Sequence, residues 1–108
     1  MTTDRLEQRR AALTAGNARR ALISQLRHEL KAMPRGEAVA VVADVLTANN
    51  PDLGALTIQR LLTSIQGIGP VALRRLCCGV VDPYARLRDV NTLAAVVLAE
   101  HLRKWEST

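Results

Sequence analysis

Aromatic residues are nearly missing from this chain: among 108 residues there is one Trp, one Tyr and no Phe. That scarcity disfavours recognition of single-stranded nucleic acid, which uses ring faces as platforms for successive bases. Only two cysteines occur, side by side at 77 and 78, and they cannot build a disulfide scaffold. No apolar run reaches the roughly 18 residues that a transmembrane helix needs. Polar and charged residues follow Met1 where a secretory signal would place an apolar stretch, so a cytoplasmic location is expected. Lysine is scarce as well: Lys31 and Lys104 stand against thirteen arginines. No internal repeat, glycine-serine linker or low-complexity tract divides the chain, and its length fits one small domain.

What is present is apolar, basic and periodic. Ala, Leu and Val supply most of the 48% apolar content, which favours helices over a β-sandwich. The net charge of +5 is unevenly spread. Residues 1–35 carry +5, residues 36–56 carry −3, residues 57–90 carry +3, and residues 91–108 balance. Two basic zones thus flank an acidic one, and an anionic partner is expected. Arginine suits phosphate and base edges through its guanidinium fork.

The periodicity predicts an all-α fold: a long N-terminal helix and a compact bundle of about four shorter ones. Asp4–Met33 reads as the long helix, with Leu22, Leu26, Leu30 and Met33 in one apolar stripe. Arg20, Arg27 and Lys31 project from another face, with Arg19 beside them. Gly16-Asn17 is a candidate break. Residues 1–15 are expected to form a basic arm that orders on contact with a partner, the alternative being a helical extension exposed on all sides. Residues 16–108 then form the single helical domain. Pro34-Arg35-Gly36 stops the first helix. Further helices are expected over Glu37–Thr47, Gly54–Ile65, Pro70–Cys78 and Thr92–Trp105. Leu93, Val96, Val97 and Leu102 are the inward candidates of the last, and Asn91 is its N-cap.

The sharpest local feature runs from Leu61 to Leu76. Gly67 and Gly69 permit positive φ and close approach of the backbone. Ile68 between them anchors the turn in the core, and Pro70 suits the first position of the next helix. Backbone N–H groups at the turn and at Val71 would face outward, where a phosphate fits without base specificity. Downstream, Arg86 and Arg88 bracket an inward Leu87, and Tyr84 is read as a cap on the core, the alternative being a donor to a phosphate. Arg74 and Arg75 add charge between the two connections.

The order of helix, glycine turn, helix, irregular turns, helix, over about residues 56–105, resembles the helix–two-turns–helix module of the ribosomal S13 type. The whole chain resembles the actinobacterial, mycobacterial-type integration host factors, with a bacterial or a phage-encoded origin both open. The likeness rests on Leu61-Leu62, the Gly69 turn, the apolar fourth helix, Pro83 through Arg86-Leu87-Arg88, and the Arg-rich first helix. It implies a nucleoid-associated protein that binds double-stranded DNA with little sequence preference and bends or compacts it. An integrase or recombinase would be reached indirectly, through the DNA. It also implies phosphate contacts by Gly67, Ile68, Gly69, Val71, Arg86 and Arg88. Pro70, Val71 and Ala85 stand where the family commonly has basic residues, so this zone is expected to bind more weakly, with Arg74 and Arg75 compensating. The tract also looks like a helix–hairpin–helix, although Leu73 occupies the position where that motif has a small residue. If the two basic zones lie on separate faces, one molecule can grip two duplex segments or one bent segment.

Other classes are an S13-like RNA or ribosome-associated binder, a helical protein-interaction adaptor, and an enzyme. Catalysis is the least supported. His28 and His101 are isolated, no cluster has metal-ligand spacing, Cys77 or Cys78 reads as core filler, and Trp105 reads as a lid on the core. No cofactor, membrane or small-molecule substrate is expected.

Overall fold

Helix α1 (Thr2–Ala32) is 31 residues long in the computed structural model, which describes the backbone of residues 2–107 and the side chains of residues 5–107. It runs through Gly16-Asn17 without interruption, so the break expected there is absent. A lone Gly costs a helix only about 1 kcal/mol relative to Ala, and the surrounding Ala and Arg residues are good helix formers. Residues 5–15 are exposed on every side, which matches the helical-extension alternative. Beyond them α1 docks through Ile23, Leu26 and Leu30, with Met33 just past its end, and of these Leu30 alone is fully buried. Leu22, expected in this stripe, is 41% exposed because it lies at the stripe's edge, turned from the globule.

The remaining helices are α2 (Arg35–Ala48), α3 (Ile58–Thr63), α4 (Pro70–Cys77) and α5 (Thr92–Ser107). Among the described residues there is no strand, and the fold is all-α. The valines of α2 sit in a helix. Ala38, Val39, Val42, Ala43 and Leu46 are buried at helical spacing and pack against α5 in the most extensive contact of the fold. On α5 the buried stripe is Ala95, Leu98, Ala99 and Leu102. Leu93 and Val96, expected inside, are exposed, because the stripe that meets α2 follows the alanines. Small residues on both helices let a core form without aromatic volume. Asn91 caps α5, its Oδ1 accepting from the Leu93 N–H at 2.8 Å.

Helix α3 is shorter than the sequence suggests. It starts after Thr57 rather than at Gly54, because the backbone of residues 54–59 pairs with the loop before α5. Arg88 N–H donates to the Gly54 carbonyl, Leu87 N–H to Leu56, Ile58 N–H to Ala85, and Gln59 N–H to Pro83. An isolated bridge joins Thr57 to Arg86. A short 3-10 turn, Pro51–Leu53, precedes this pairing and another, Leu87–Asp89, follows within the loop.

The globule and the projecting helix give principal extents of 60 × 28 × 22 Å. The radius of gyration is 15.9 Å, against about 13 Å for a compact chain of this length.

Candidate nucleic-acid interface

The candidate interface begins with the way α1 lies against residues 52–67. Arg19 Nε pairs with Asp52 at 3.5 Å. Eight residues on, Arg27 Nε donates to Ser64 Oγ at 3.2 Å. Four residues further, the Lys31 carbonyl accepts from Gln66 Nε2 at 2.8 Å. The two segments therefore run side by side in the same direction for about 18 Å, the length of twelve helical residues. The basic zones that are far apart in sequence consequently meet at both ends of this strip. At one end Arg19 and Asp52 sit by the turn where Gly54 packs against the Arg88 side chain, so closely that a Cβ on the glycine would lie 3.2 Å from Arg88 Cβ. At the other, Lys31 reaches the glycine turn through Gln66.

The two short helices differ in how their first N–H groups are used. Those of α3 are taken: Ala85 and Pro83 carbonyls accept two, and Thr57 Oγ1 accepts from Arg60 N–H at 3.3 Å. Helix α4 starts with Gly69 as cap residue and Pro70 in its first turn, and no side chain caps it. Val71 beside it is 67% exposed. Of the two termini, α4 is therefore the one able to meet an anion.

Gly67 and Gly69 have different reasons for being glycine. Gly67 has φ +92°, and a Cβ there would lie 2.7 Å from Arg35 Nη2. Gly69 has φ −97° and open space around it, so the positive φ expected of it is not found. Gly67→Ala should lower stability by about 1–3 kcal/mol through backbone strain and displacement of the arginine. Gly69→Ala should stay within about 1 kcal/mol, as the gain in chain stiffness offsets the poorer cap. Urea midpoints of the two variants check this contrast.

The expected site residues fall into three groups. Ile68 is buried and holds the turn, as predicted, while Gly67 and Gly69 are exposed. Arg20, Lys31, Arg74, Arg75, Arg86 and Arg88 are exposed, and Leu87 is half-buried against the core, so its two flanking arginines are left at the surface. Arg27 does not project with Arg20 and Lys31. It is half-buried and bonded to Ser64, a buried hydroxyl that itself donates to the Arg60 carbonyl at 2.7 Å. Its first task is to hold α1 on the end of α3. Tyr84, read as a cap on the core, is instead 70% exposed, because the Asp82–Ala85 turn directs it outward. It lines a groove with Gln59, Ile68, Gly69, Pro70 and Arg74.

Arg35 carries a contact that the sequence does not signal. Its guanidinium carbon lies 4.9 Å from the centroid of the Trp105 ring. The residues are seventy positions apart, and Arg35 reads locally as part of a helix stop. Trp105 is half-buried and packs against the core, and its ring is also a seat for this cation.

Cys77 is buried, and burial, followed by the Asp82 charge, pushes its thiol up to about 11, so it stays a neutral filler of the core. Cys78 is exposed. Among the described residues no three His, Cys, Asp or Glu groups could hold a metal ion. Among the same residues no helix is long and apolar enough to cross a membrane. Comparison of the chain with protein-family models, curated proteins and solved structures finds no match.

Proposed function

We propose that this protein binds duplex DNA through its phosphates with little sequence preference, and bends or compacts it in the manner of a nucleoid-associated integration host factor. The observation that supports this best is the outer half of α1. From residue 5 to residue 20 it carries Arg5, Arg9, Arg10, Arg19 and Arg20 against the single acid Glu7, and all five arginines are exposed. A helix of sixteen residues is about 24 Å long. Duplex DNA presents about fourteen phosphate charges over that length. The major groove, about 12 Å wide, also admits a helix. Phosphates supply affinity and register while leaving sequence unread.

The contacts along residues 52–67 hold the inner half of α1, ending at Lys31, beside the glycine turn. That adjacency supports one duplex followed round the molecule, hence bending, over two separate segments. A role in site-specific recombination would follow from shaping the DNA that a recombinase uses. The site in the cell would be the nucleoid.

A gel shift on unrelated duplexes of equal length, over a salt series, tests the reading. Equal affinities are expected, with log K falling linearly against log salt. Salt-independent affinity or one strongly preferred sequence would overturn it. A structured RNA that displaces the duplex at low concentration would move the function to the S13-like alternative.

A further inference from the structure

We infer that the surface around Trp105 is a second phosphate-binding site for the same duplex, formed by Arg35, Arg75 and Lys104; this rests on the DNA-binding reading above. The three bases come from α2, α4 and α5 and belong to three different stretches of the sequence. The fold gathers them at one ring. Arg35 lies over Trp105, while Arg75, Lys104 and His101 line a shallow depression whose other walls are Leu76 and Trp105.

Two features suit this patch to a phosphodiester. The first is preorganisation. Arg35 is exposed, yet its planar head is stacked on the indole and lies against Gly67, where only a missing Cβ leaves it room. A guanidinium fixed in this way loses less freedom on binding a phosphate than a free one. The second is charge. Among the described residues the one salt bridge is that of Arg19 with Asp52, so Arg35, Arg75 and Lys104 have no carboxylate within 4 Å. Glu106 approaches this region, its Oε1 3.3 Å from a Cβ placed on Gly36, without closing an ion pair. The patch adjoins the glycine turn through the Arg35–Gly67 contact, so a backbone lying on the turn continues onto it.

Trp105 is the chain's one tryptophan and reports on the site directly. The full chain is titrated with a duplex of about twenty base pairs over a salt series, followed by gel shift and by tryptophan emission. In the wild type, emission should change as the duplex saturates. Arg35→Ala should lower the slope of log K against log salt by about one unit, which is about tenfold in affinity at 0.1 M salt. Arg35→Lys should restore the slope. Should Arg35→Ala lose its helical circular dichroism, the exposed Lys104→Ala carries the same test, with a loss of about one unit. A full gel shift with unchanged emission, or wild-type slopes in these variants, overturns this site and leaves the DNA-binding reading intact. A wild type that shifts no duplex at low salt overturns both.

Discussion

Leu30→Ala is expected to lower the stability of the protein by about 2–5 kcal/mol, the range for removing a large buried side chain and leaving a cavity. Leu30 has 0% exposure and is the fully buried residue among the described side chains of α1. Ile23, Leu26 and Met33, its neighbours on the docked face, are only partly covered. The hydrogen bonds from Arg27 to Ser64 and from Gln66 to the Lys31 carbonyl flank it along the chain, and they depend on α1 staying in place. The ion pair of Arg19 with Asp52 offers little compensation, since both side chains are more than half exposed and such pairs contribute at most about 1 kcal/mol. A urea titration should show a lower midpoint with an unchanged slope. Leu13→Ala, at a position 59% exposed, should stay within about 0.5 kcal/mol of wild type. A Leu30→Ala loss below about 1 kcal/mol would mean that α1 is not seated as described. The same variant should bind duplex less tightly, because an undocked α1 separates Lys31 from the glycine turn.

Neutralising the outer half of α1 should have the larger effect on binding. With Arg5, Arg9, Arg10 and Arg20 all changed to Ala, the slope of log K against log salt should fall by about three to four units. At 0.1 M salt that amounts to about three to four orders of magnitude in affinity. The fold should not suffer, because these side chains are exposed and Ala is the strongest helix former. Unchanged far-ultraviolet circular dichroism would establish this, leaving charge as the difference. An unaltered slope would remove the outer helix from the interface and confine binding to the globule. The Arg35→Ala variant should reduce affinity far less, as one contact among several.

Much of the architecture can be read from local pattern. The stop at Pro34, the glycine turn with Ile68 as anchor, the start of α4 at Pro70 and the Asn91 cap each depend on residues a few positions apart, and the structure has all of them. Where local signals mislead, a distant partner is responsible. Gly54–Leu56 read as helix, but their carbonyls are engaged by Leu87 and Arg88 from thirty residues away. Leu93 reads as core, but α2 meets the alanine side of α5. Arg27 reads as part of a solvent-facing row, but Ser64 draws it inward.

Composition and spacing alone determined that this is a small, helical, arginine-rich chain with its charge in two zones, because helical periodicity and charge depend on neighbours along the chain. Which arginines stand together was decided only in three dimensions. The alignment of α1 beside residues 52–67 joins Lys31 to the glycine turn, and the approach of α2 to α5 sets Arg35 on Trp105. Helix packing is driven by buried apolar area that has no direction along the sequence, and the positions of the surface charges follow from it.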